Sequence, residues 1–304
     1  MIKKIFKMII FLVICLGCIA IIILFELECW PVGSSLGGLV VGIIVPFLKS
    51  SFVDIMDTEN WKTSQRKLVR KNFIKKTDNV RISFAYLFRI KVNGRYFLVK
   101  NARGTEKYQP VGGVYKMDQA EAQYLKTHYF VEDDHRIPIN QSSKRDYRLQ
   151  LQDKYIRRFV RRFNKTKNRE VVQDLSREFK EELFDTGILN ASKFGVLRYN
   201  YCGRHMTELQ YSEHFQCYEL LLADVVDVDL TANQEQEFLL LLSTNSDKYC
   251  FATEDEIKSL GVRVGSSNLQ ETIADHTTKI LQQNTQYLTK KRSNRSKNEI
   301  EIQL

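Results

Sequence analysis

The sequence predicts a two-helix transmembrane hairpin followed by an α+β domain, a mixed sheet flanked by helices. Three observations carry this reading. Two charge-free apolar stretches open the chain, a period-two run with a two-residue hairpin signal begins at Arg81, and helical and extended patterns then interleave without a regular βαβ period. The 304 residues carry 46 basic and 36 acidic side chains, a net charge of +10. That length accommodates one or two domains with a real core. Charged and aromatic contents of 27% and 11% argue against a wholly disordered chain, and 14 Gly with 4 Pro exclude collagen-like or low-complexity character. Six cysteines scattered over this length do not make a disulfide scaffold. There is no internal repeat.

The first apolar stretch, Met8 to Phe25, lies between Lys7 and Glu26, and the second lies between Glu28 and Lys49. Each is close to the ~20 residues that span ~30 Å of hydrocarbon. The second contains Gly33, Gly37, Gly38 and Gly42, the last two at GxxxG spacing, which suits close helix approach. A cleaved signal peptide competes for the first stretch. However, Phe25-Glu26-Leu27-Glu28 is not a small-residue cleavage site. Lys3, Lys4 and Lys7 precede the hairpin and Lys49, Lys62 and Arg66 follow it, whereas the turn carries only Glu26 and Glu28. The charge rule then puts both termini and the domain on the cytoplasmic side of the membrane. Cys15 and Cys18, inside the apolar run, read as packing residues. The expected organisation is a hairpin at 1–50, a basic juxtamembrane linker at 51–79, the α+β domain at 80–288 with an insert at 117–168, and a basic tail at 289–304. The linker's cations suit anionic headgroups and a solvated helix face equally.

Within the domain, Arg81 to Val92 alternates around Ile82, Phe84, Tyr86, Phe88 and Ile90 and reads as a strand. Asn93-Gly94 signals a hairpin, with Arg95 to Lys100 returning. Gln109 to Tyr115 contains the Gly112-Gly113 pair. Arg145 to Gln152 reads as extended. Gln152 to Lys165 is amphipathic, with Tyr155, Ile156, Phe159, Val160 and Phe163 on one face and Arg157, Arg158, Arg161 and Arg162 on the other. Asn168 to Asp185 is a helix expectation with Asn168 as its cap. Strands are expected at Lys193 to Tyr201 and Tyr211 to Leu222, and helices at Ala232 to Leu242 and Leu269 to Gln283. The five histidines show no ligand spacing.

The segment that carries chemistry is Arg177-Glu178-Phe179-Lys180-Glu181-Glu182-Leu183. On a helix Glu178, Glu181 and Glu182 share a face. Three clustered carboxylates repel unless a cation sits among them, and oxygen ligands on a helix suit Mg²⁺ or Mn²⁺. Arg177 can pair with Glu181 at i+4. The competing reading is a set of charge pairs on a solvated helix. Lys144 to Glu170 adds eleven basic against three acidic residues, a stripe suited to phosphates, a solvated face or anionic lipid.

These residues resemble the Nudix box, G-x5-E-x7-R-E-U-x-E-E-x-G-U. Arg177-Glu178-Phe179-Lys180-Glu181-Glu182 matches its core, Pro110-Val111-Gly112-Gly113 its glycine entry and Gly187-Ile188 its close. The box is split, since 64 positions separate Gly113 from Arg177. The first glutamate of the pattern falls on Arg169, one position from Glu170, and three extra residues separate Glu182 from Gly187. With the membrane hairpin, the chain resembles the membrane-anchored Nudix effectors of CBASS, the bacterial cyclic-oligonucleotide antiphage systems. The resemblance implies that the Nudix-like domain senses a cyclic nucleotide made by a CD-NTase and that the membrane part disrupts the inner membrane in abortive infection. It implies a metal set of Glu178, Glu181 and Glu182 and Mg²⁺ or Mn²⁺ as the ion. Ligand contacts are expected at Gly112, Gly113, Arg157, Arg158, Arg161, Arg162 and Arg177. The expected partners are the cyclic nucleotide, the lipid bilayer and further copies of the chain, with no nucleic acid polymer. The alternative is a membrane-tethered, Mg²⁺-dependent hydrolase of a nucleoside diphosphate derivative.

Overall fold

The alternation at Ile82, Phe84, Tyr86 and Phe88 becomes the central strand of the fold, β1 (Asn79–Arg89), and these side chains and Ile90 just beyond it are fully buried. The computed structural model describes residues 2–27, 42, 45–46, 61–101, 106–136, 143–262, 271–281 and 299–304. The chain divides into two units, residues 1–67 and 68–304.

In the first unit, α1 (Ile2–Leu27) is a single helix of 26 residues. Among the described residues no helix is long and apolar enough to cross a membrane, which corrects the expected transmembrane hairpin. The sequence places three lysines in the first two turns of α1 and Glu26 near its end. The second expected span and its GxxxG lie outside the described residues, except for positions 42, 45 and 46. The inner-membrane placement, with both termini and the domain on the cytoplasmic side, rested on the hairpin and falls with it. A further helix, α2, runs from Trp61 to Arg70.

The second unit is a mixed α/β domain with two sheets. After β1 the chain turns through β2 (Lys91–Val92) into β3 (Arg95–Lys100). Asn93 and Gly94, at φ 46° and 76°, form the expected tight turn, whose two positive φ values favour Asn-Gly. The short strands β4 (Tyr108–Gln109) and β5 (Gly112–Val114) follow. Next come α3 (Gln119–Tyr129), β6 (Glu132–Asp133), β7 (Arg148–Gln152) and α4 (Ile156–Phe163). The motif helix α5 (Ser176–Phe179) runs directly into a wider π turn, Lys180–Phe184. A short helix α6 (Ala191–Phe194) precedes β8 (Val196–Met206), β9 (Gln210–Ser212) and β10 (Cys217–Val228). Then come α7 (Ala232–Leu242), β11 (Tyr249–Ala252), α8 (Glu254–Lys258) and β12 (Glu299–Gln303). The main sheet runs β12-β8-β10-β1-β7-β6, with β5 also on β1 and β9 on β10. Its one parallel pair among the described residues is β1 with β10. The second sheet runs β11-β3-β2, with β4 on β3.

Burial on both faces explains the composition of β1. One face presents Phe84, Tyr86 and Phe88 to a cluster of rings. Phe84 meets Phe163 at 4.7 Å, Tyr86 meets Tyr115 at 5.0 Å and Phe88 meets Phe179 at 5.4 Å between centroids. Edge-on and tilted pairs at such spacing add to the burial of their area. The other face packs Leu87 with Tyr96, Leu98 and Val225. Arg81 and Arg89 on that face are buried and paired, although Arg89 Nη2 has no hydrogen-bond partner among the described residues. Arg81 pairs with Asp134 at 2.6 Å and Glu219 at 2.8 Å, and Arg89 donates to the Ile280 carbonyl at 2.6 Å.

The insert between Gly113 and Arg177 is built into the core. It supplies β7 to the main sheet and α4 to the aromatic face of β1. Two helix expectations change. Of 168–185 only Ser176 onward is helical, because Arg169 bridges to Met117 and the Tyr199 hydroxyl holds the Val172 carbonyl and the Leu175 N–H. Of Leu269 to Gln283, the described part forms a 3₁₀ turn at Asp275–Ile280.

The packing of α4 yields a test. Phe163 touches Phe84, Tyr115 and Tyr147 with centroids at 4.7, 5.4 and 4.9 Å. Phe163→Ala is expected to cost ~3–5 kcal/mol in urea unfolding. Arg161→Gln, on the exposed face, should change stability by less than ~0.5 kcal/mol. Similar effects of the two would refute the core role of the insert.

Candidate functional site

The site forms where β5 passes the motif helix. Leu87 pairs with Gly112 and Tyr86 with Gly113, which brings the glycine pair under the start of α5. Gly112 has φ 148°, and a side chain there would strike the Tyr86 carbonyl. At Gly113 a methyl group would strike the Glu178 carboxylate. Both glycines are therefore required by close approach.

Arg177 is the centre of the site. Its Nε donates to Glu170 Oε1 at 2.6 Å and its Nη2 to Glu170 Oε2 at 3.2 Å, a two-point grip on one carboxylate. Its Nη1 donates to Glu178 Oε1 at 2.6 Å and to Glu181 Oε2 at 3.3 Å. Nη2 also reaches the Val114 carbonyl at 3.1 Å, tying α5 to β5. Burial alone would lower the affinity of this guanidinium for its proton, but the hydrogen bonds to Glu170 and the charges of Glu178 and Glu170 carry its pKa well up. Tyr86 lies beside this group. Its hydroxyl is held protonated far above the usual range, first by burial and then by the charge of Glu170.

Glu170 was one position away from the family pattern, and the structure shows how it reaches the arginine. The Lys116 N–H donates to Glu170 Oε2 at 2.8 Å, and the Glu170 N–H donates to the Lys116 carbonyl at 2.9 Å. Arg169 turns the other way, its guanidinium 3.7 Å from the centre of the Phe163 ring. Between Glu182 and Gly187 the chain leaves the α helix through the π turn, where the Asp185 N–H donates to the Lys180 carbonyl at 3.0 Å. Gly187 closes the segment at φ 72°. π turns of this kind are frequent at functional sites.

Glu178, Glu181, Glu182, Gly112 and Gly113 all border one cleft of about 720 Å³. Glu182 Oε2 accepts the Gly112 N–H at 2.9 Å. Among the described residues no group of three His, Cys, Asp or Glu side chains is placed to hold a metal ion. The cation found among these glutamates is Arg177, so the residues as arranged do not fit Mg²⁺ or Mn²⁺.

The basic face of α4 lies elsewhere. Arg158 and Arg161 are exposed to solvent. Arg162 turns back onto the fully buried Glu121 at 2.6 Å and stacks on Tyr124 at 4.0 Å. Neither these three nor Arg157 lines the cleft, whose cations are instead Lys100, Arg148 and Lys248. Nothing local marks those three in the sequence, because they come from strands and a loop far apart in the chain.

Two outcomes test this geometry. Gly113→Ala should cost ~1–3 kcal/mol by overpacking against Glu178, read by thermal unfolding; an unchanged melting point would contradict the close contact. Arg177→Gln should lower the melting temperature, and Mg²⁺ should then restore part of the loss while leaving the wild-type melt unchanged. Equal stabilisation of both proteins by Mg²⁺ would show that Arg177 does not stand in for a metal.

The family model for the SMODS-associated NUDIX domain matches residues 79–281. No curated protein and no solved structure matches the chain.

Proposed function

We propose, from the premise that the chain belongs to the SMODS-associated NUDIX domain family, that its Nudix domain is the sensor of a CBASS-type effector. It binds a cyclic nucleotide made by a CD-NTase and does not hydrolyse it. Family membership supports the effector role. The observation that favours binding over hydrolysis is the placement of Arg177. Nudix domains commonly use divalent metals, and a metal-dependent hydrolase needs carboxylates free to hold and orient its ions. Here Glu170, Glu178 and Glu181 share one guanidinium, and Glu182 accepts a backbone N–H. A sensor needs a shaped cleft with polar and cationic groups, and this cleft has them.

The hydrolase reading keeps one observation in its favour, since Glu178, Glu181 and Glu182 do border the same cleft. One experiment separates the two. The full chain is screened against cyclic di- and trinucleotides by isothermal titration, and each bound nucleotide is recovered after incubation with Mg²⁺ and chromatographed. The expected result is saturable binding of at least one cyclic nucleotide and its recovery intact. Steady Mg²⁺-dependent turnover of that nucleotide, or of a nucleoside diphosphate derivative, lost in Glu178→Gln, would install the hydrolase instead.

A further inference from the structure

Lys100 ends β3 and Lys248 immediately precedes β11, so the two come together at the end of the ladder. The Lys100 N–H donates to the Lys248 carbonyl at 2.8 Å, one step beyond the pairing of Val99 with Tyr249. Residues opposite one another in an antiparallel ladder stand on the same face, with Cβ atoms ~4.5–5.5 Å apart, and like charges so placed are destabilising. Both side chains border the cleft.

The acidic neighbours Glu106 and Asp247 offset this repulsion only in part. Lys100 Nζ lies 3.9 Å from Glu106, whose side chain is 82% exposed, so the pair is loose and solvated. Lys248 Nζ donates to the Thr186 carbonyl at 3.0 Å, a neutral acceptor. Asp247 also borders the cleft. A phosphate between the two ammonium groups would convert the repulsion into charge-assisted hydrogen bonds on both sides. The motif glutamates repel phosphate from their own part of the cleft, where Arg177 is already taken up by Glu170, Glu178 and Glu181.

We propose that Lys100 and Lys248 form the phosphate-binding subsite of the cleft. They hold a phosphate of the nucleotide while the motif helix shapes the rest of the site. This rests on the reading of the cleft as a nucleotide-binding site.

The test uses the full chain with Lys100→Gln, Lys248→Gln, the double variant and Lys100→Arg. The probe is inorganic pyrophosphate, followed by melting and titration calorimetry. Without probe, the Gln variants should melt at or above the wild type, because a like-charge pair has been relieved. Pyrophosphate should raise the wild-type melting temperature, and its affinity should fall about tenfold or more in the double variant, the loss expected for a charge-assisted hydrogen bond. Lys100→Arg should keep most of the affinity. Equal pyrophosphate affinity in wild type and double variant, or no binding to the wild type, would overturn the proposal. The cyclic-nucleotide panel on the same proteins separates the two readings. A cyclic nucleotide bound equally by wild type and double variant would remove the subsite and leave the sensor standing. Lysine-dependent pyrophosphate binding with no cyclic nucleotide bound would keep the subsite and remove the sensor.

Discussion

The site depends on one guanidinium that must satisfy several carboxylates at once. Arg177 holds Glu170, Glu178 and Glu181, and reaches β5 through the Val114 carbonyl. Glutamates this close repel one another unless a cation lies among them. The chain supplies that cation covalently. The same bonds fix the position of the motif helix against β5, and the two glycines allow the approach. Charge neutralisation and backbone docking are therefore one interaction here, and the shape of the cleft follows from it.

Around this hub the insert does structural work. It delivers Glu170 to Arg177 by pairing with Lys116, and it delivers Phe159 and Phe163 to the aromatic face of β1. Its basic residues divide accordingly. Arg162 and Arg169 are used internally, against Glu121 and Phe163, while Arg158 and Arg161 face solvent. A stripe that looks uniform in the sequence thus has two physical roles, set by which side of α4 meets the core.

On the proposed reading, a cleft bordered by both glutamates and lysines would sort the parts of a nucleotide by charge. Carboxylates accept N–H and O–H donors from bases and sugars. Ammonium groups take phosphate.

How much was legible in the sequence varies with the range of the interaction. Period-two alternation marked β1, and Asn93-Gly94 marked its hairpin, because side-chain alternation and positive φ are local properties. Ala232 to Leu242 was legible as a helix for the same reason, and Thr231 with Gln234 closes its start as a capping box. The glycine pair and the motif helix were legible as chemistry, since their residue types and spacing carry it. The N-terminal apolar run was legible as a helix but did not become a membrane hairpin: among the described residues no helix is long and apolar enough to cross a membrane. The tertiary structure alone decided that Glu170 and not Arg169 meets Arg177, because a strand-like bridge to Met117 overrides the local helical pattern. It alone decided that Lys100 and Lys248 stand side by side, since 148 positions separate them in the sequence and only sheet register brings them together. Local propensity and pattern fix what each segment can form, whereas the choice of partner across the fold is made by burial and charge after the segments meet.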